Sequence, residues 1–196
     1  MDWNHRYETD DTPWDKGRAT PVLDEIHFRS PGLFGGSILV PGCGAGHDAR
    51  WLARAGARVT GVDIAPLAIE AALRLAPPPS VVFEVADFLH PPAHHLGAFD
   101  LLWEHTCFCA LDPSLRRGYI RSASRVLKPE GTVAGVFFID PEMDPGETGP
   151  PFGIGLEELE ALWREEGFDV LDLWTPVRGY PGRVGRERVM ILRKTR

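Results

Sequence analysis

The chain has 196 residues, with 21 Lys and Arg against 28 Asp and Glu, which gives a formal net charge of −7. That length predicts one domain spanning residues 1–196, able to bury about 70% of its unfolded surface without a disulfide or metal staple. A hydrophobic fraction of 43% and a charged fraction of 25% exclude disorder, and the acidic balance leaves no electrostatic footprint for nucleic acid or an anionic membrane.

The opening stretch, MDWNHRYETDDTPWD, is acidic and aromatic and lacks the basic and apolar regions of a signal peptide. Ser37 to Val40 reads as a short buried strand that ends at Pro41 and a glycine turn. His47 to Ala55 follows as a helix, with Trp51, Leu52 and Ala55 on one face and Gly56 as its stop signal. Arg58 to Val62 is a second strand, Ala65 to Leu75 a helix with Pro66 in its first turn, and Val81 to Val85 a third strand rich in β-branched residues. Phe99 to Trp103 is the fourth strand, and Asp112 to Leu127 a helix that opens on an Asp112 N-cap followed by Pro113. Gly131 to Ile139 supplies the fifth strand. A Pro/Gly-rich loop from Pro141 to Gly155 leads to a helix over Leu156 to Glu166, whose Glu157, Glu158 and Glu160 favour its N-terminal turn and solvated face. Phe168 to Trp174 and Arg188 to Arg193 close the chain as strands with no helix between them. The order predicts an α/β, Rossmann-like, doubly wound fold: a mostly parallel seven-stranded sheet with an antiparallel C-terminal strand pair.

The longest strongly apolar run, Val133 to Ile139, is strand-sized, so no membrane span is expected. Three cysteines, Cys43, Cys107 and Cys109, follow no disulfide spacing and fit a reducing cytoplasm. Cys107-x-Cys109 reads as a pair of small hydrophobes, and His90, His94 and His95 as polar loop residues, so no metal is expected. Of the 21 basic residues 18 are Arg, Gln is absent and Asn4 is the single Asn. Heat adaptation and a G+C-rich genome both produce that pattern, and composition does not separate them.

Gly42-Cys43-Gly44-Ala45-Gly46 lies between a strand and a helix, where open α/β sheets bind ligands, and Asp63 follows 21 residues after Gly42 at the end of the next strand. Glycines there admit a ligand close to the backbone, and an acid in that place meets the ribose of a nucleoside. A dinucleotide site would need Gly or Ala where His47 stands, and no phosphate-binding Lys follows the turn. A ligand without a pyrophosphate fits better, S-adenosylmethionine being the common one, with a nicotinamide-dependent reductase a distant rival.

In order, the chain carries Trp3-x3-Tyr7, Thr12-Pro13-Trp14-Asp15-x-Gly17, Val40-Pro41-Gly42-Cys43-Gly44-Ala45-Gly46-His47-Asp48, Gly61-Val62-Asp63-Ile64 and Asp87-Phe88. Phe108-Cys109-Ala110-Leu111, Arg116-x2-Tyr119, Leu127-Lys128-Pro129-x-Gly131 and Gly149-Pro150-Pro151-Phe152 follow. By these motifs it resembles, over nearly its whole length, the thiopurine methyltransferase family, which includes bacterial tellurite and selenite methylating enzymes and plant halide/thiol methyltransferases. The Val-Pro-Gly-Cys-Gly turn and the Gly-Pro-Pro-Phe loop are the most selective of them. The resemblance implies that residues 1–20 form an arm covering the cofactor, with Trp3, Tyr7 and Trp14 folded over it. It implies that Gly42 contacts the methionine portion, Asp63 the ribose, and Asp87 with Phe88 the adenine edge. Gly44, Ile64 and Glu104 complete the cofactor set. It also implies that Arg116 stands near an anionic substrate. Glu104 and His105 end the fourth strand and are expected to point into the same crevice.

Methyl transfer from a sulfonium releases a neutral thioether, so it needs no acid, and soft nucleophiles need no base. The expected activity is therefore S-adenosylmethionine-dependent methylation of a small thiol, thiopurine, halide or selenium/tellurium species, yielding S-adenosylhomocysteine. Methylation of O, N or C of a small metabolite, or a non-catalytic S-adenosylmethionine-binding regulator, are the alternatives. The Asp/Asn-Pro-Pro-Tyr/Phe signature of amino-group methyltransferases is missing after the fourth strand, where Glu104-His105-Thr106-Cys107 stands. A small-molecule substrate, no nucleic-acid or membrane partner, and a monomer or weak homodimer are expected.

Overall fold

The computed structural model describes residues 1–141 and 149–195; of the loop expected over Pro141 to Gly155, residues 142–148 lie outside them. The elements are α1 (Trp3–Glu8), α2 (Val22–Arg29), β1 (Ser37–Pro41), α3 (His47–Arg54), β2 (Arg58–Asp63), α4 (Pro66–Arg74), β3 (Val81–Val85), β4 (Phe99–His105), α5 (Arg116–Val126), β5 (Leu127–Phe138), α6 (Leu156–Glu165), β6 (Phe168–Trp174) and β7 (Glu187–Lys194). The seven strands form one sheet in the order β3-β2-β1-β4-β5-β7-β6. β1 to β5 pair in parallel, and β7 pairs antiparallel with both β5 and β6. The expected architecture stands. Among the described residues no helix is long and apolar enough to cross a membrane.

The two apolar clusters follow from the crossovers. Val22, Leu23 and Ile26 of α2 pack with Ala49 and Leu52 of α3 and Ile69 and Ala72 of α4 in one cluster. Tyr119, Ile120 and Ala123 of α5 pack with Leu159 and Trp163 of α6 in the other. β1 lies between β2 and β4, so the chain reverses its direction of winding there and leaves a crevice at the carboxyl ends of those strands.

Several bounds differ from expectation for local reasons. Asp112 does cap, but what it caps is a single 3₁₀ turn, Pro113–Leu115, through the Ser114 N–H, and α5 begins only at Arg116. β5 starts at Leu127, ahead of Gly131, because Leu127 pairs with Phe99 before the register shifts to Leu101 opposite Thr132. α2 is absent from the expected elements altogether: Pro21 precedes it and no side chain caps it.

Candidate active site

A cavity of about 450 Å³ opens at the crevice. Its floor is Gly42, Asp63 and Ile64 at the ends of β1 and β2, with Ala86, Asp87, Phe88 and Leu89 after β3. Thr106, Cys107 and Cys109 after β4 and Pro150 and Pro151 between β5 and α6 form another wall, and Trp3, Arg6, Tyr7, Pro13 and Trp14 roof it.

The glycine loop is shaped by what touches it. Gly42 has φ +57°, and a Cβ there would stand 2.8 Å from Cys107 Sγ. Gly46 has φ +75° at the N-cap of α3, and a Cβ would run into the Phe83 ring at 2.3 Å. Only glycine serves at either position. Buried Arg50 ties the loop to α4, with Nη1 donating to the Ala45 carbonyl (2.6 Å) and Nη2 to that of Ala72.

Asp63 accepts the Gly44 N–H on Oδ2 and the Ala65 N–H on Oδ1, both at 2.9 Å. Burial raises its pKa, against the pull of these bonds. A carboxylate offers about four acceptor positions, so capacity remains for hydroxyl groups in the cavity. Asp87 accepts the Leu89 N–H at 2.9 Å and lies 2.7 Å from His90 Nδ1, while Phe88 packs on Tyr119 with ring centroids 4.8 Å apart.

The roof is an aromatic cluster. Trp14 meets Trp3 edge-on at 5.4 Å and Tyr7 at 5.9 Å, and its Nε1–H donates to the Tyr7 hydroxyl at 3.3 Å. The Arg6 guanidinium stands over the Trp14 ring at 4.4 Å and pairs with Asp11 at 2.9 Å. The arm is tied down at four points, one of them the Tyr180 hydroxyl donating to the Arg18 carbonyl at 2.7 Å. Asn4 Oδ1 accepts the Leu67 N–H at 3.1 Å, capping α4 from outside. His47 Nε2 lies 3.2 Å from Asp15 Oδ1, and Asp48 accepts the Thr20 N–H at 2.8 Å. His47 and Asp48, part of the glycine-turn motif and the first turn of α3, thus fasten the arm to the glycine loop's helix.

Four expected site residues, Gly44, Glu104, His105 and Arg116, do not line the cavity. Glu104 is fully buried behind it: Oε1 accepts the Cys107 and Phe108 N–H groups at 3.0 and 2.7 Å, and Oε2 accepts the Tyr119 hydroxyl. Burial pushes its carboxyl up to about 7 against those hydrogen bonds. His105 turns away to Asp48 Oδ2 (2.8 Å) and lies 5.8 Å from the Tyr180 ring. Burial alone would raise Asp48, but the charge and hydrogen bond of His105, with those of Trp103 and Thr20, hold it low. Arg116 is buried and donates from Nη2 to the carbonyls of Phe152 (3.2 Å) and Gly153 (2.8 Å), bracing the loop that carries Pro150 and Pro151. Glu104, His105 and Arg116 each support a wall from behind. Gly44 approaches the roof, since a Cβ there would stand 3.2 Å from the Tyr7 hydroxyl.

Two cations that sequence reasoning missed do line the cavity, Arg6 and Arg183. Arg183, in the loop before β7, lies over the Phe138 ring at 4.8 Å and donates to buried Glu187 at 3.4 Å. Nothing in the spacing of a Gly/Arg-rich loop singles out one arginine. The cavity thiols are neutral: burial, with Glu104 beside it, pushes Cys109 up to about 12 and Cys107 also well above the ordinary thiol value.

The sequence profile of the thiopurine S-methyltransferase family matches residues 1–175. The chain belongs to that family. It is an S-adenosylmethionine-dependent methyltransferase. Among its relatives, it is 31% identical over 192 residues to thiocyanate methyltransferase 1 of Brassica oleracea, covering 95% of this chain and 82% of that one. The figures for probable thiol methyltransferase 2 of Arabidopsis thaliana are 30%, 95% and 82%. In fold, the methyltransferase superposes on Burkholderia thailandensis 1,6-didemethyltoxoflavin-N1-methyltransferase, solved with S-adenosylhomocysteine, with TM-score 0.74 and 22% identity over 100% of this chain and 86% of that one. The cavity's donor set suits the family's cofactor: carboxylates for ribose hydroxyls and an exocyclic amine, apolar Ile64, Ala86 and Phe88 for a purine ring, and aromatic rings for a sulfonium.

Proposed function

We propose that this methyltransferase acts on a small, soft, anionic nucleophile, such as a thiolate, thiocyanate, a halide or a selenium or tellurium anion. The observation that carries the reading is the charge of the lining. Its carboxylates, Asp63 and Asp87, are held at the β2 and β3 ends by backbone N–H groups, and its other charged groups are the cations Arg6 and Arg183. Glu104 and His105, the groups that would serve an amine or hydroxyl acceptor as a base, stand outside it. A nucleophile already anionic needs positioning and desolvation but no base.

When bound, S-adenosylmethionine supplies an electrophilic methyl on sulfur that leaves a neutral thioether. Asp63 accepts from the ribose hydroxyls, and Asp87 with Phe88 and Ile64 holds the base. Gly42 lets the backbone approach the methionine portion. The Trp3, Tyr7 and Trp14 rings, on an arm of residues 1–20 within one domain, exclude water and favour a cation by about 0.5–2 kcal/mol. Arg183 attracts the acceptor anion, and Glu104 and Arg116 fix the walls around it. The protein works as a cytoplasmic monomer or weak homodimer, and its net charge of −7 fits an absence of nucleic-acid partners.

The test is incubation with labelled S-adenosylmethionine and parallel panels of thiolates, thiocyanate, iodide, selenite and tellurite against phenols and amines. Methylated product from the soft anions is expected. Product from phenols or amines alone, or from nothing in either panel, overturns the reading.

A further inference from the structure

Glu84, on β3, sits just before the cavity-lining segment Ala86 to Leu89, and His94 and His95 follow that segment on a short 3₁₀ turn, Ala93–His95. Both imidazoles reach back to the same atom. His94 Nε2 lies 3.1 Å from Glu84 Oε2, and His95 Nε2 lies 3.0 Å from it. The three ligand atoms all fall within 4.8 Å of one another, and among the described residues this is the one such cluster.

Neighbouring residues on a 3₁₀ turn project about 120° apart, so convergence of two adjacent rings on one oxygen is not what the backbone gives by default. The turn that produces it is held by its own bonds, His95 N–H to the Pro92 carbonyl at 2.9 Å and Ala98 N–H to that of His95 at 3.2 Å. His95 is buried with its ring edge-on to Phe99 at 5.4 Å, whereas His94 is largely exposed and open to an incoming ion. An exposed His–Glu contact contributes at most about 1 kcal/mol, so a second histidine on an already partnered carboxylate adds little to the fold. As ligands, the same three groups make sense. Two imidazoles and a carboxylate with an open fourth position suit zinc-type ions, whose bonds of about 2.0–2.2 Å put tetrahedral ligand atoms about 3.3–3.6 Å apart. The two nitrogen-to-oxygen separations, 3.1 and 3.0 Å, stand just below that range, and the nitrogen-to-nitrogen one lies within 4.8 Å.

We propose that Glu84, His94 and His95 bind a divalent transition-metal ion of the zinc class, and that this ion staples the two ends of the segment forming the cavity wall at Ala86 to Leu89. The site does not depend on which acceptor is methylated. Binding at the native cluster stabilises the folded chain by mass action.

The test uses the full chain stripped with a chelator and titrated with Co²⁺, with Zn²⁺ as competitor. One equivalent of Co²⁺ is expected to give visible d–d absorption of tetrahedral or five-coordinate strength, bleached by one equivalent of Zn²⁺, and Zn²⁺ is expected to raise Tm. His94→Ala, at an exposed position, leaves the metal-free Tm nearly unchanged, so its readout does not depend on folding. Loss even of groups outside the ligand shell costs about 10–100-fold in metal affinity, so His94→Ala, and separately Glu84→Gln, should weaken Co²⁺ by at least about tenfold. Failure of the wild type to develop the absorption, or equal affinity in wild type and His94→Ala, overturns the proposal and leaves two histidines hydrogen-bonded to one glutamate.

Discussion

Replacing Glu104 by Gln separates a wall-supporting acid from a catalytic one. The amide still offers an oxygen to the Cys107 and Phe108 N–H groups and faces the Tyr119 hydroxyl with its nitrogen, but it carries no proton to lose. In the wild type the folded carboxyl titrates at about 7, above its ordinary 4.5, so the native state holds the proton more tightly than the unfolded chain. The associated stability is therefore complete below pH 4.5 and is lost as pH climbs through about 7. At about 1.36 kcal/mol per tenfold, the displacement from 4.5 to about 7 corresponds to about 3 kcal/mol. Urea unfolding of both proteins near pH 4.5 and near pH 8 measures it, since changes common to the two cancel. The difference between them should move by about 2–3 kcal/mol in favour of Glu104→Gln as pH rises. A difference that stays constant, or moves the other way, refutes the argument. Methyl transfer should persist in the variant; a loss of about 10²-fold or more with the fold intact would make Glu104 a proton-transfer group after all.

Four further substitutions probe the rest of the site. Asp63→Ala removes a charged acceptor worth about 1.5–3 kcal/mol, so calorimetry should show S-adenosylhomocysteine binding weakened by about 10–100-fold; unchanged affinity would take Asp63 out of the cofactor site. Trp14→Ala opens the roof and should weaken the sulfonium cofactor by about 3–30-fold, more than its neutral product, and equal losses for both would discount an attraction to charge. Arg183→Met should lower kcat/KM for thiocyanate by about tenfold or more while sparing a neutral thioether acceptor, which has no proton to lose, and parallel losses on both would show a packing role instead. Asp48→Asn breaks the buried junction of Thr20, Trp103 and His105 and should cost about 3–5 kcal/mol in denaturant unfolding; a cost under about 1 kcal/mol would mean that the arm is held elsewhere.

The parallel half of the sheet was legible because each strand is a short apolar run followed by a helix signal, as at Ser37 to Val40 before the glycine loop. α2 was not legible: Val22, Leu23 and Ile26 have helical spacing and are all fully buried, but a Pro before them and charged residues among them resemble a loop. In the site, Asp63 could be placed because a strand end beside the glycine turn determines where it emerges, whereas Asp87 and the arm aromatics were placed by the family resemblance. Glu104 and His105 also emerge at a strand end, yet their side chains are drawn away by Tyr119 and Asp48, partners 15 and 57 residues distant. Arg116 is captured by the carbonyls of Phe152 and Gly153 in the same way. Local pattern reports where a residue leaves the sheet. Long-range hydrogen bonding decides what it then faces.

The roof differs from the other walls in what secures it. The floor and sides are extensions of strands whose neighbours are core, whereas α1 has no buried residue and the arm that carries it is moored by a few polar links, at Asn4, Asp15, Arg18 and Thr20. Hydrogen bonds of that kind are worth about 1 kcal/mol each, a sum that thermal motion overcomes on the microsecond-to-millisecond scale without disturbing the sheet. On the proposed reading the arm is then the door of the chamber. Exchange of product for fresh cofactor swings on hinges outside the core, so the release rate is free to evolve without loosening the frame that aligns donor and acceptor.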